Sequence, residues 1–363
     1  MSRMLFTAIL LTSVTTVIDN HYQQQLGCLT MRSPRLTPRH TPRRTLRTAL
    51  AGAAAVALTI GVTACSGGSS DADADNADVK IVASTAVWGS IAEQVVDDAT
   101  DAGSTLDVSV STILSGTDGD PHEYEATARD IADIRDADVV LGNGAGYDNW
   151  LTDNAASDAE VITAAAPVEE HVHDHGTDED ADHDHGDANP HVWFDLDTVR
   201  EFADNLASYL HSVDESFPES ATGVTGDLDE VSARLDKLPA AKLLFTEPVA
   251  LDLINGTALT DVTPEGFADA VLTESEPSAA DLASARDLIA DGGVDVLVTN
   301  SQSQTAASTQ LVNAAKDAGL TENDAVINVN ESPDNDQSYM DYLDAVVSGL
   351  EKATGDDTED DAE

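Results

Sequence analysis

Cysteine is nearly absent from this chain: Cys28 and Cys65 are the only two among 363 residues. Both precede the body of the chain, so no disulfide is available there and the fold must rest on its core. A catalytic thiol is excluded for the same reason. Basic residues are scarce as well. There are 17 Lys and Arg against 68 Asp and Glu, and seven of the 17 lie in residues 1–64 beside a single acid, Asp19. That balance argues against nucleic acid as a partner, because phosphate contacts need clustered Lys and Arg. It suits solubility and attraction of cations, although salt-tolerant organisms acidify many proteins and acidity alone names no function. Several catalytic signatures are also missing: no HExxH helix, no GxSxG elbow and no glycine-rich phosphate loop. The apolar run Ala49–Val62 is shorter than the roughly 20 residues a membrane span needs.

That run belongs to an export signal. From Met31 the chain reads MRSPRLTPRHTPRRTLRTALAGAAAVALTIGVTAC, a basic segment, an apolar core and then small residues before Cys65. VTAC resembles the bacterial lipobox, whose cysteine is lipidated and becomes the first mature residue. Residues 1–64 are therefore set aside as leader and signal, with translation expected to start at Met31, and Cys65 is expected to carry a lipid anchor. Residues 65–78, rich in Ser, Asp and Gly, form a polar tether.

Beyond the tether, apolar strand-like runs alternate with helical stripes. KIVAS, LDVSVSTI, DVVLGNG and EVITA read as strands, with a helix after the first and another over Glu125–Arg135. Leu196–His211 is helical, and a second helical stretch runs to about Leu238. The pattern restarts with KLLFT, a helix from Pro248, VDVLVT, a helix over Ala306–Ala318, AVINV and a last helix over Ser338–Lys352. Alternating strands and helices predict an α/β fold with parallel sheets. The predicted divisions are a first lobe over 79–212 with a His/Asp-rich loop at 169–190, a linker helix at 213–238, a second lobe over 239–354 and an acidic tail at 355–363.

In open parallel sheets ligands bind at the carboxyl ends of strands. His122 (DGDPHEYEA) lies in the turn after the second strand, Glu247 (LLFTEPVA) follows the first strand of the second lobe, and Asn300–Gln304 leave its next clear strand. His191 (NPHVWFD) stands between the charged tract and a helix start. Two histidines from one lobe and a carboxylate from the other would make a divalent-metal site between the lobes. Taken singly, each has a plainer reading: a turn residue for either His, and a helix-start carboxylate for Glu247. His171, His173, His175, His183 and His185 sit in a tract without apolar periodicity, which cannot pack a core. They read as an exposed low-affinity collector or as a merely solvated loop.

Three stretches make a more specific pattern: KIVASTAVWGSIAEQV, DPHEYEATARDIADIRDADVVLGNGAGYDNWL and NPHVWFD, in that order, with a His/Asp-rich insertion directly before the last. From about Val79 to Leu350 the chain resembles the zinc and manganese solute-binding lipoproteins of ABC importers, the cluster that includes ZnuA-type proteins. The resemblance implies two (β/α) lobes with parallel four-stranded sheets, a long rigid helix between them and metal in the cleft. It implies His122, His191 and Glu247 as ligands, the third being His in most zinc members and often Glu in manganese members. The fourth, commonly Asp, falls near Gln304 by spacing, a departure that leaves Gln304, water or another acid to complete the shell. It further implies a monomer, held at the outer face of the membrane, that delivers its ion to a permease and ATPase and is not an enzyme. A metal buffer or adhesion lipoprotein without a transporter is the rival class, and a zinc hydrolase a more distant one. Imidazole ligands and the Irving–Williams order favour Zn2+ over Mn2+. Glu247 points toward manganese, whereas the histidine tract and the absence of an evident second acid point toward zinc. Protonation of imidazole, with a reference pKa of about 6.5, is expected to weaken binding in acid.

Overall fold

The computed structural model describes residues 77–116, 124–166, 189–335 and 337–355. The leader, Cys65, residues 66–76 of the tether, His122, the five tract histidines and residues 356–363 of the acidic tail lie outside the described residues. Four parallel strands form the first sheet: β1 (Val79–Thr85), β2 (Val108–Leu114), β3 (Val139–Gly142) and β4 (Glu160–Thr163), in the order β2-β1-β3-β4. A second sheet repeats the arrangement with β5 (Lys242–Phe245), β6 (Thr260–Asp261), β7 (Val296–Thr299) and β8 (Val326–Asn328), in the order β6-β5-β7-β8. All pairings are parallel. In each sheet the chain leaves its first strand to one side and returns on the other. A crevice therefore opens at the carboxyl ends of β1 and β3, and another at those of β5 and β7.

Strand periodicity explains how the sheets are covered. Val79, Ile81, Ala83, Val139 and Leu141 of the first sheet share one continuous apolar cluster with Leu243, Phe245, Val296 and Val298 of the second. Their neighbours point the other way. Val82 and Val140 join Ile134 and Leu151 on the outer face of the first sheet, while Leu244 and Leu297 join Phe267, Ile289 and Leu311 on the outer face of the second. Both faces are buried, so the strands read as unbroken apolar runs. Because the inner faces feed a single core, the lobes are packed together rather than merely tethered.

Helices seal that core. In α1 (Ala86–Asp101), Val87, Trp88, Ile91, Ala92, Val95 and Ala99 are buried, and Gly89 lets the helix approach β2, since a Cβ there would meet Thr112 Oγ1 at 2.0 Å. The short helices α2 (Ala128–Arg135) and α3 (Asn149–Thr152) flank β3. Helix α2 begins later than the predicted Glu125, because Thr127 and Asp130 close a capping box there. Helix α4 (Leu196–Val213) buries Val199, Phe202, Ala203, Leu206, Ala207 and Leu210. That i, i+3, i+4, i+7 stripe is the pattern of a helix laid on a core.

The connection differs from a single helix over 213–238. After α4 the chain turns through Phe217, which is buried, and Pro218, and only then forms α5 (Thr222–Leu235). At 1.5 Å per residue its 14 residues span about 21 Å. The last helix, α9 (Tyr339–Thr354), packs on α1, α5 and β8. Arg234 of α5 clamps it: the guanidinium donates to Glu351 Oε1 at 2.9 Å, to Glu351 Oε2 at 2.8 Å and to Ser348 Oγ at 2.9 Å, and also pairs with Asp344. The helix expected from Pro248 is likewise absent. Turns and a three-residue 3-10 helix (Asp252–Ile254) lead to β6, which is too short to show periodicity in the sequence. Helices α6 (Glu265–Leu272), α7 (Ala279–Ala290) and α8 (Ala306–Asp317) then build the outer layer of the second lobe.

Candidate metal centre

Two strand ends and one helix approach meet at one point. Glu247 follows β5, Glu331 follows β8, and His191 precedes α4; one ligand atom from each lies within 4.8 Å of the other two. His191 Nε2 is 3.9 Å from Glu247 Oε1 and 3.9 Å from Glu331 Oε2. His191 is 2% and Glu331 1% exposed, so the cluster is largely withdrawn from water.

The His191 loop is held from both lobes. Asn143, at the end of β3, donates through Nδ2 to the Pro190 carbonyl at 2.8 Å. Asn143 is itself set by a turn in which Asp148 accepts from the Asn143 and Gly144 N–H groups at 2.6 and 3.0 Å. Burial pushes the Asp148 carboxyl up, and the hydrogen bonds from the Asn143 and Gly144 N–H groups pull against that shift. Gly144 has φ +77°, and a Cβ there would lie 2.1 Å from the Ala165 carbonyl oxygen. From the other lobe, Asn189 Nδ2 donates to the Pro248 carbonyl at 3.1 Å and to Asp252 Oδ2 at 3.0 Å. Trp193 and Phe194 anchor the segment in the core, and the Trp193 carbonyl accepts from Tyr339 Oη at 2.7 Å.

Asn189 also decides the tautomer of the ring. Its Nδ2 faces acceptors, so its Oδ1 is the atom 2.8 Å from His191 Nδ1, which must then carry the proton. In the neutral form of the ring the lone pair is then on Nε2, which faces the two carboxylates. Three electron-rich atoms aimed at one point form an arrangement that a cation stabilises. Ligand bonds of roughly 2.0–2.2 Å would set the donors about 3.3–3.6 Å apart in a tetrahedral shell. The 3.9 Å gaps therefore need to close by only a few tenths of an ångström.

The carboxylates are oriented on their far side. Asn300, 2% exposed at the end of β7, donates through Nδ2 to Glu247 Oε2 at 2.8 Å and to Glu331 Oε1 at 3.2 Å. Ser303 Oγ adds a bond to Glu331 Oε1 at 2.8 Å. Tyr147 reaches across from the first lobe and donates to Glu331 Oε2 at 2.9 Å. A cavity of about 300 Å³ whose lining includes Glu247, Ser303, Glu274 and Glu276 adjoins the cluster.

Residues 81–353 match the family model described as the zinc-uptake complex component A, periplasmic (ZnuA). The chain belongs to the ZnuA family. Among curated relatives, the manganese ABC transporter substrate-binding lipoprotein PsaA of Streptococcus mitis is 27% identical over 185 residues, covering 49% of this chain and 54% of PsaA. The zinc-binding lipoprotein AdcA of Streptococcus pneumoniae is 28% identical over 198 residues, covering 50% of this chain and 38% of AdcA. The chain thus spans about half or less of the length of these relatives, and they are named for different metals. A mutant structure of the laminin-binding adhesin Lmb from Streptococcus agalactiae shares the fold with a TM-score of 0.56 at 18% identity, covering 76% of this chain and 99% of that one.

Within this ZnuA-family chain, the sequence-based candidates fall as follows. His191 and Glu247 face each other. Gln304 does not join them: it is exposed in the turn before α8, and the acid that stands beside the pair is Glu331. The premise that no second acid is evident is thereby corrected. Glu331 lies just past β8, so the strand-end rule that singled out Glu247 would have found it had the rule been applied to AVINV as well. Asn300 belongs to the stretch Asn300–Gln304 that the strand-end rule singled out, but its role, like those of Tyr147 and Asn189, depends on partners met only in the folded chain.

Proposed function

We propose that this chain captures a divalent transition metal outside the cytoplasm and passes it to the permease and ATPase of an ABC importer, with zinc as the ion it holds most tightly. The observation that supports this most is the convergence of His191, Glu247 and Glu331 from elements on both sides of the interlobe crevice, in a chain of the ZnuA family. In this reading those three side chains are ligands, and His122, which follows β2 in the sequence, completes the shell. Gln304 has no part in it. Two neutral imidazoles and two carboxylates bring the charge of a bound divalent ion to about zero, which suits a buried site. The Irving–Williams order places Zn2+ above Mn2+ for any such set of nitrogen and oxygen donors.

Manganese is the second reading, and Glu331 is what favours it, because oxygen-rich sites suit Mn2+ better than imidazole-rich ones. The lipid anchor at Cys65 keeps a monomer at the outer face of the membrane, and the tract histidines collect ions and raise their local concentration. The shared apolar core and the Arg234 clamp limit opening of the crevice, so loading orders loops and shifts the lobes slightly rather than swinging them apart. Metal analysis of protein purified without chelator, followed by Zn2+/Mn2+ competition on wild type and Glu247→Ala, tests the reading. One tight site that Glu247→Ala abolishes is expected. Metal held equally well by the variant would overturn the assignment.

A further inference from the structure

The two carboxylates of the cluster share an arrangement that simple metal binding does not require. Glu247 turns Oε1 toward His191 and gives Oε2 to Asn300 at 2.8 Å. Glu331 turns Oε2 toward His191 and gives Oε1 to the same Asn300 at 3.2 Å, with Ser303 at 2.8 Å on that oxygen too. His191 and Asn300 therefore stand on opposite sides of the carboxylate pair. We propose that Asn300 sets the coordination number of the bound ion, and with it the preference for zinc over manganese, by holding the second oxygen of both Glu247 and Glu331. The inference rests on the metal-capture reading above.

The physical reason is geometric. A carboxylate raises the coordination number when both oxygens bind one ion, and Asn300 opposes that twice with a single NH2 group. One oxygen from each Glu, one imidazole nitrogen and one further ligand make the four-coordinate shell that Zn2+ adopts. Mn2+ prefers about six mostly oxygen donors, which here would require pulling Glu247 Oε2 or Glu331 Oε1 off the amide. The amide itself is fixed: Asn300 Oδ1 accepts from the Gln302 N–H at 2.9 Å, so its Nδ2 cannot flip away without losing that bond. Burial leaves water little room to replace it. Asn300 touches no ion and acts through the carboxylates as a positioning residue.

The test uses the full chain as wild type, Asn300→Ala and Ser303→Ala. Zn2+ and Mn2+ affinities are measured by competition, and Co2+ is loaded as a spectroscopic probe. Wild type should show the intense visible bands of four-coordinate Co2+. In Asn300→Ala the bands should weaken as a second carboxylate oxygen enters. The ratio of Zn2+ to Mn2+ affinity should fall about tenfold, within the range seen when partners of metal ligands are removed. Ser303→Ala, which removes one donor from Glu331 alone, should move both readouts the same way by about threefold, and it decides the matter if Asn300→Ala does not fold. In Asn300→Ala, or in Ser303→Ala where that variant does not fold, an unchanged Co2+ spectrum with an affinity ratio indistinguishable from wild type would overturn the role of Asn300 and leave metal capture standing. A wild type that binds none of the three ions would overturn both.

Discussion

Replacing Glu331 by Gln separates the structural reading from the one drawn from spacing. The substitution keeps the side-chain volume and leaves an amide able to accept from Asn300 and Ser303, whose donors lie 3.2 and 2.8 Å from Oε1. What it removes is the charge. At an effective dielectric constant of about 20, unit charges 4 Å apart interact by roughly 4 kcal/mol. A divalent ion doubles that figure, and a water molecule entering the shell restores part of it. We therefore expect Zn2+ binding to weaken by at least ~4 kcal/mol, on the order of a thousandfold. Competition against a chromophoric chelator reads this directly. The apo protein should unfold no lower than wild type, because removing one carboxylate also relieves its repulsion with Glu247. Metal-induced stabilisation, about 2.7 kcal/mol when free ion is 100 times the dissociation constant, should disappear at the same ion concentration. Gln304→Ala is the control and should change neither quantity. A Glu331→Gln variant within threefold of wild type, or a Gln304→Ala variant that loses the ion, would refute the reasoning.

Further outcomes follow from other parts of the structure. Arg234→Met should destabilise by about 1–2 kcal/mol by undoing the bidentate pairing with Glu351, measured by urea unfolding, with the loss shrinking at high salt because the side chain is partly exposed. Gly144→Ala should cost about 2–3 kcal/mol, since its φ of +77° disfavours a side chain and the Ala165 carbonyl blocks one. Asp148 has a folded-state pKa raised by burial, so the folded state holds its proton longer than the unfolded one. Its contribution to stability is greatest below the ordinary carboxylate value of about 3.9 and declines as pH rises through the raised one; the stability gap between wild type and Asp148→Ala, followed by denaturation at several pH values, should narrow accordingly. Deleting residues 171–187 should spare one tight site in calorimetry and lower the total stoichiometry, and loss of the tight site would refute the division between collector and main site.

The sequence by itself determined the layers and part of the candidate site. Apolar runs such as those of β1 and β3 and the stripe of α4 encode burial locally, because side-chain direction repeats every two residues in a strand and about every 3.6 in a helix. His191 and Glu247 were legible since they stand where parallel strands end or a helix begins. Spacing failed elsewhere, for physical reasons. Gln304 and Glu331 leave neighbouring strands, and which of them turns inward depends on the conformation of two loops and on Asn300, Ser303 and Tyr147 waiting to receive a carboxylate. Tyr147 and Glu331 are 184 residues apart and meet only after both lobes have packed. The break between α4 and α5 likewise depends on Phe217 finding the core. Local sequence fixes what each segment buries; the tertiary structure alone decides which polar groups are left face to face, because a hydrogen bond or an ion needs several partners at once, and only the folded chain brings them to one point.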